Sequence, residues 1–364
     1  MHLAIDATVV REPRSGVHHA VAAETLALVQ LGQCRITVFV SDDKLVYALS
    51  SCDCEVVKVR TYRFGVTSRI CWQQVQLPSL LKKHACDLLF APAYTAPLRL
   101  QTPVVLQIHD TIALRRPDLC RWRNRLHMGL LMKASMQRAR HMIVSTSSEK
   151  AHVQHLVPSA TAITALSLGV EAAHFENPPP QSSRQRPVDN RYLLFIGTIE
   201  PKKGVDILLA AYARIAAKFP DLKLVLIGQQ GWRCRQLLHQ IAHWQGAGAV
   251  LHLGYQPEQE LHRYLHAAAA VVVPSVEEGF GLPILEAFAA GTPVIHSDHP
   301  ALLETAGGHG QAFTSGNPDA CAAALQAHLN APPDADGRRQ RKSYAATRSW
   351  ERWAQATMTI CKQL

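Results

Sequence analysis

Apolar residues in this chain fall into short runs, each closed by a turn or polar residue, and these runs alternate with stretches in which apolar positions recur every three or four residues. LAIDATVV (Leu3–Val10), RITVFV (Arg35–Val40), DLLFAP (Asp87–Pro92), PVVLQIHD (Pro103–Asp110) and HMIVST (His141–Thr146) are runs of the first kind and read as buried strands. The segment GVHHAVAAETLALVQLG after the first run reads as a helix ended by Gly32. Buried strands alternating with helices predict a parallel sheet covered on both faces. Phe175–Asn190, rich in proline and polar residues, interrupts the alternation. It then resumes with YLLFIG, the helical VDILLAAYARIAAKF, LKLVLIG, a helix through Ile241, VLHLG, AVVVP and TPVIHS. The pattern predicts an α/β chain of two doubly wound units: 1–176, a linker at 177–190, and 191–349. APPDADGRRQ reads as a loose connection to a last helix, YAATRSWERWAQATMTICKQL.

In PSVEEGFGLPILEAFAAGTPVI, the strand through Val273 stops at Pro274, and Leu282, Ile284, Leu285, Phe288 and Ala289 then recur at helical spacing. This is strand, glycine loop and helix N-terminus, whose unpaired N–H groups suit a phosphate. Glu278 and Glu286 stand eight residues apart around that loop, and carboxylates accept hydrogen bonds from paired hydroxyls. Phosphate and hydroxyls together describe a nucleotide-sugar; an ordinary turn with a capping carboxylate is the simpler alternative.

The chain of 364 residues, 48% hydrophobic and 18% charged, has the composition of a soluble globular protein with room for two cores. No apolar run reaches the length of a membrane span, and the start lacks a signal-like pattern. Nine unevenly spaced cysteines suggest free thiols in a reducing cytoplasm. Neither Cys52 with Cys54 nor the Asp334–Asp336 DAD sequence has the setting of a metal site, so no metal is expected. GAGAVL near Gly246 lacks the third glycine and preceding strand of a dinucleotide fingerprint. The net charge of +10 is uneven: residues 1–177 carry 20 Lys and Arg against 13 Asp and Glu. A basic first half suggests an anionic partner, such as a membrane surface, a phosphorylated acceptor or nucleic acid.

Taken together, these segments resemble the retaining glycosyltransferases of family 4, which have the GT-B fold of two Rossmann-like domains facing across a cleft. The resemblance rests on the E-x7-E pattern Glu278–Glu286 followed by AGTPVI, on SGVHHA (Ser15–Ala20), on IHD (Ile108–Asp110), on SLGVEAAHF, on FIGTIEPKKGVDILLAAY and on SWERWAQ, in the expected order over nearly the whole chain. It implies a nucleotide diphosphate sugar as donor, with no separate cofactor, and a terminal helix from about 350 to 364 that joins the first domain.

Carried over residue by residue, the resemblance gives Glu286 the ribose hydroxyls and Glu278 the hydroxyls of the transferred sugar. Backbone N–H groups of Gly279, Phe280, Gly281 and Leu282 would approach the sugar and diphosphate. Lys203 would neutralise the diphosphate, Gly16 would let the first-domain loop come close, and His109 would sit near the anomeric carbon. Three positions depart from the family pattern. Thr198 replaces a common arginine, which Lys202 would compensate; Gly204 replaces asparagine; and His18 with His19 replaces an Arg-Tyr pair. The plainer alternatives are a solvated turn for KKG, a satisfied buried carbonyl for His109 and a simple turn for Gly16.

The reading is a metal-independent retaining hexosyltransferase of cell-surface polysaccharide or lipopolysaccharide synthesis, cytoplasmic and peripheral to the membrane. GDP-mannose is favoured as donor over UDP-hexoses, the acceptor is a glycan or lipid-diphosphate-linked saccharide, and nucleic acid is not a partner. A non-catalytic nucleotide-sugar-binding subunit is the remaining alternative. Arg115–Arg140 holds seven arginines and one lysine against one aspartate, with Trp122, Leu126 and Leu130 at helical spacing, and reads as a largely helical docking surface for anionic lipid; a solvated basic face with a core-facing apolar stripe is the plainer alternative.

Overall fold

The computed structural model describes residues 1–12, 15–61, 66–120, 122–157, 161–171, 188–332 and 334–364, and the side chains of Val66 and of residues 122–128 lie outside that description. The linker expected at 177–190 therefore falls largely outside the described residues, as do Arg121 and the side chains of Trp122, Arg123, Arg125 and Leu126. Contacts divide the chain into two units, Met1–Gly169 with Trp350–Leu364, and Val170–Ser349.

The first unit runs β1 (His2–Asp6), α1 (Gly16–Gln30), β2 (Arg35–Val40), α2 (Asp43–Leu49), β3 (Glu55–Lys58), α3 (Val66–Lys83), β4 (Leu88–Ala91), β5 (Val104–Ile108), α4 (Ile112–Arg115), α5 (Trp122–Arg138), β6 (His141–Val144), α6 (Ser147–Leu156) and β7 (Ala162–Ala165). Its seven strands are all parallel, in the order β3-β2-β1-β4-β5-β6-β7, so the order reverses between β1 and β4. Ala4, Leu89, Leu106, Ile108, Met142 and Val144 form one core with Trp72, Leu77 and Leu81 of α3 and Met132 and Met136 of α5. Because side chains alternate along a strand, Phe90 points to the other face, where its ring meets Trp353 at 5.8 Å.

The second unit runs β8 (Tyr192–Ile196), α7 (Val205–Ile215), β9 (Lys223–Ile227), α8 (Arg235–Gly246), β10 (Val250–Gly254), α9 (Glu258–Ala267), β11 (Ala270–Val273), α10 (Leu282–Ala290), β12 (Val294–Ser297), α11 (Pro300–Ala306), β13 (Gln311–Phe313), α12 (Pro318–Asn330) and α13 (Ala335–Ala346). Its parallel sheet has the order β10-β9-β8-β11-β12-β13, reversing between β8 and β11. The last helix, α14 (Trp350–Lys362), packs against α1 of the first unit. Both units are Rossmann-like, the architecture of the GT-B fold.

Two sequence expectations need correction. The DAD segment is no loose connection: Asp334 caps α13 by accepting from Gly337 N at 2.7 Å, and α13 is separate from α14. In α5, Leu130 is 73% exposed and does not belong to a buried stripe; Met132, Ser135, Met136 and Ala139 face the interior instead. The arginines of Arg115–Arg140 are not one free surface either. Arg115 meets Glu149 at 3.2 Å, Arg116 meets Asp118 at 2.9 Å, and Arg138 donates to the Leu100 carbonyl.

Candidate active site

In a doubly wound sheet the loops at the carboxyl ends of the two strands flanking the reversal diverge and leave a crevice. In the second unit those strands are β8 and β11, followed by Gly197–Gly204 and Pro274–Gly281. The two loops are tied together by main-chain bonds: Val276 N donates to the Lys202 carbonyl at 2.9 Å and Glu277 N to the same oxygen at 3.4 Å. Gly204 has φ of +63°, and a Cβ there would stand 2.1 Å from the Pro274 carbonyl oxygen. The approach of the loops, and not only the backbone angle, therefore excludes any side chain at a position where the family pattern has asparagine.

This arrangement brings Lys203 and Glu278 together, 75 residues apart in sequence, with Nζ 2.6 Å from Oε2. Ser275 Oγ donates to the same carboxylate oxygen at 3.0 Å. Burial pushes the Glu278 carboxyl up, but the Lys203 charge and hydrogen bond, the Lys202 charge and the Ser275 bond outweigh it and hold the group below the usual carboxylate range. Lys202 itself pairs with Glu200 at 3.5 Å, so its cation is shared between Glu200 and the field at Glu278. Thr198 is half-buried beside Gly231, where an added Cβ would come within 2.9 Å of its methyl group.

The helices that start here, α7 and α10, have Gly204 and Gly281 at their N-caps and no side-chain cap. Gly281 has φ of +95°, Phe280 is buried, and the Phe280 carbonyl accepts from Thr305 Oγ1 at 2.6 Å, which fixes the turn before Leu282. Glu286 lies in the second turn of α10, half-buried, and among the described residues no hydrogen bond reaches its carboxyl group. Burial, with a smaller contribution from Glu258, pushes its pKa up to about 7. Glu278 is thus satisfied from within, whereas Glu286 has acceptor capacity left over.

Of the residues expected from the first unit, Gly16 opens the helix after β1 and His109 directly follows β5. Gly16 is the first residue of α1, not a residue of the preceding loop, and a Cβ there would meet nothing within 4 Å. Ser15 N donates to His18 Nδ1 at 3.4 Å, so one of the paired histidines caps the helix. His109 is buried with Nε2 2.8 Å from the Pro92 carbonyl, which can only accept. The ring therefore carries its proton on Nε2, and burial pushes its pKa down to about 4, leaving a neutral imidazole with Nδ1 as acceptor. Its simpler role, satisfying a buried carbonyl, is realised in the structure.

Sequence reasoning missed Tyr94 and Ser275. Tyr94 has φ of +63°, its ring stands edge-on to His109 at 5.7 Å, and its hydroxyl donates to Asp110 at 3.0 Å. A tyrosine in the left-handed region is an outlier that its surroundings must enforce. Nothing in PAYTAP signals it, whereas Ser275 could have been read from its place three residues before Glu278. Of the DAD carboxylates, Asp334 meets Arg341 at 3.3 Å and Asp336 pairs with Arg339. Among the described residues no cluster of three His, Cys, Asp or Glu side chains could hold a metal ion.

Residues 14–174 match the Glycosyltransferase Family 4 model and residues 180–348 match the Glycosyl transferases group 1 model. The chain is 36% identical to O-antigen chain mannosyltransferase B of Escherichia coli over 48% of its own length and 46% of that protein. It is 29% identical to a glycogen synthase of Mycobacterium tuberculosis over 76% of its length and 67% of that protein. The match to the mannosyltransferase thus spans about half of that relative. Among solved structures, Anabaena HepE in complex with UDP and glucose superposes with a TM-score of 0.78 at 18% identity, covering 100% of both chains. WaaG, a glycosyltransferase involved in lipopolysaccharide biosynthesis, superposes with a TM-score of 0.76 at 16% identity over 98% of this chain and 99% of its own. Two parallel-sheet units, these superpositions and the two family matches lead to one conclusion: the chain belongs to the family 4 glycosyltransferases (group 1) and has the GT-B fold.

Proposed function

We propose that this glycosyltransferase is retaining and metal-independent, and that it moves a hexose from a nucleotide diphosphate sugar bound at the second unit's strand crossover to a glycan or lipid-linked acceptor. The observation that carries the reading is the contrast at α10. Glu278 is held ionised by Lys203 and Ser275, while the Glu286 carboxyl is half-buried with acceptor capacity unused. Glu286 suits paired ribose hydroxyls, and Glu278 suits the hydroxyls of the sugar. The uncapped starts of α7 and α10, with Lys203 and Lys202, suit the diphosphate.

The chemistry we favour breaks the bond between the anomeric carbon and the diphosphate oxygen while the acceptor oxygen bonds the same face of that carbon. The departing diphosphate takes the acceptor's proton. Lys203 and the α10 N-terminus stabilise its growing charge, and Lys203 would then exchange part of its pairing with Glu278 for the diphosphate. His109, neutral at physiological pH, would serve the sugar as an acceptor through Nδ1 and not as a cation.

Mannose from GDP-mannose remains the favoured donor, because mannosyltransferases are among the relatives. UDP-hexoses are the alternative, because HepE was solved with UDP and glucose. A thermal-shift comparison separates them: the true donor raises the melting temperature most, since a ligand that binds only the native state stabilises it. A GDP-mannose response no greater than that of UDP-glucose removes the mannose assignment. Transfer is expected to survive exhaustive chelation, and a loss restored by Mg²⁺ or Mn²⁺ refutes metal independence.

The lipid-surface reading narrows to one face of α5 and the residues just after it, where Leu130, Lys133, Gln137 and Arg140 are exposed. Each basic residue near an anionic surface is worth about 1 kcal/mol, so attachment should be reversible by salt. Equal recovery with neutral and anionic liposomes removes it.

A further inference from the structure

A cavity of about 490 Å³ opens at the carboxyl end of the edge strand β3, against the first turns of α3. It is lined by Arg60, Thr61, Thr67, Ser68, Cys71, Trp72, Val75 and Gln76 and shares no residue with the donor site or with His109. The chemistry of its wall is mixed in a specific way. Arg60 is exposed, and among the described residues its guanidinium meets no carboxylate and no carbonyl. Thr61 is 2% exposed, its carbonyl accepts from Ser68 Oγ, and its own Oγ1 is buried without any hydrogen-bond partner. Such a hydroxyl costs stability unless something else engages it. Trp72 and Val75 add an apolar part to the wall, and Val75 is 71% exposed.

We infer that this cavity is a binding site for an anionic sugar unit, one bearing a phosphate or carboxylate, in the acceptor. The planar guanidinium of Arg60 fits either anion through two parallel hydrogen bonds. Thr67, exposed on the wall, supplies a partner for ring hydroxyls, and the apolar wall accepts the C–H face of the ring. β3 lies two strand spacings from β1, with β2 between them, which places the cavity roughly 10 Å along the sheet from β1 at about 4.8 Å per spacing. That makes it a remote subsite, one that grips the acceptor away from the reacting hydroxyl. The inference rests on the reading of the chain as a transferase whose first unit carries the acceptor.

Cys71, exposed and on the cavity wall, is a built-in reporter, with the half-exposed Cys52 as internal control. The experiment follows iodoacetamide labelling of each cysteine by mass spectrometry in the full chain, with glucose 6-phosphate, glucuronate, glucose, inorganic phosphate, GDP or UDP added. The two anionic sugars are expected to slow Cys71 labelling at least fivefold while Cys52 is unaffected, and glucose, phosphate and the nucleotides to have little effect. Arg60→Gln should raise the concentration needed for half-protection about tenfold. Thr67→Val should raise it less, and neither change should alter the thermal shift produced by the nucleotide donor. Unchanged Cys71 labelling with both anionic sugars overturns the proposal, as does protection that survives Arg60→Gln. Equal protection by inorganic phosphate overturns the sugar part, and equal protection by GDP or UDP turns the cavity into a nucleotide site. Protection without any glycosyl transfer would leave the cavity standing and refute the proposed function; transfer without protection would do the reverse.

Discussion

The two units have the same kind of sheet, but the loops of the second at its strand crossover and the face of the first beneath α1 and α14 treat buried polar groups in opposite ways. At the β8–β11 crossover of the second unit, Lys203, Glu278 and Ser275 satisfy one another, and Lys202 meets Glu200. Beneath α1 and α14 of the first unit, Glu24, Trp353 and Thr357 are buried with both carboxylate oxygens, Nε1 and Oγ1 unpartnered. Gln107 and Ser145 are likewise buried and unpartnered, and strand alternation puts them on that face of the sheet, with Phe90 and away from Leu106, Ile108 and Val144. At this crossover the second unit therefore pairs its charges with counter-charges of its own. The first unit has no such reserve on this face, and its unmatched groups reduce its stability. The difference shows which unit should be sensitive to substitution at its site and which in its core.

The largest effect expected is from Gly204→Ala. The left-handed backbone and a Cβ 2.1 Å from the Pro274 carbonyl should together cost about 3 kcal/mol or more and separate the two loops that follow β8 and β11. Calorimetry of the full chain should show the second unit melting first. An unchanged melting profile would mean that the loops can move apart freely, and the tight junction drawn above would be wrong.

Next in size is Glu286→Ala, which should weaken binding of the nucleotide diphosphate about 10- to 100-fold, the worth of hydrogen bonds to a charged acceptor. Because burial raises this carboxyl to about pH 7, nucleotide affinity should increase as pH rises from 6 to 8. Glu258 adds to the shift, so Glu258→Gln should move that pH profile to lower pH. Titration calorimetry at several pH values tests both. Affinity that does not change with pH across this range refutes the role of Glu286.

A smaller effect is expected from the unmatched face of the first unit. Burial raises the Glu24 carboxyl well above its ordinary value of 4.5. The folded state therefore binds this proton more tightly than the unfolded state does. The stability linked to it is complete below about pH 4.5 and is lost as pH rises toward the raised folded value, at no more than about 1.4 kcal/mol per pH unit. Glu24→Met should remove that loss and raise the melting temperature at pH 8 by several degrees. Denaturation at pH 5 and pH 8 measures it. A lower melting temperature for the variant at pH 8 would show that ordered water or another group satisfies Glu24, and the contrast between the units would shrink.

How much of this was legible in the sequence follows from burial. Ten of the thirteen strands stand out as apolar runs, and the three that do not, β3, β7 and β13, are all at sheet edges, with half-exposed or exposed residues along most of their length. An edge strand covers less core and so carries a weaker apolar signal. The spacing of Trp122, Leu126 and Leu130 marks a helix, and α5 is there, but Leu130 itself is exposed and the helix turns Met132 and Met136 inward. At the site, Lys203 and Glu278 were visible as residues but not as a pair, since only the fold brings positions 75 apart within 2.6 Å. Tyr94 was invisible because its left-handed backbone is imposed by its neighbours and not by its residue type.

The smallest structural effect, and the most discriminating one, is expected from Gly16→Ala. Unlike Gly204, Gly16 has no neighbour within 4 Å of an added Cβ, and as the first residue of α1 it has no need of the glycine backbone. Alanine favours helix over glycine by about 1 kcal/mol in a helix interior, and by less at a terminus, so stability should stay the same or rise slightly. If the α1 N-terminus approaches the donor diphosphate, the same methyl group should obstruct that approach and lower turnover, with the melting temperature unchanged or higher. Steady-state kinetics and a melting curve on the one variant decide the matter. Full activity would make Gly16 an ordinary helix start, and the close approach of this loop to the phosphates would be withdrawn. Lower activity without loss of stability would show that the first unit keeps a glycine where its own fold does not require one.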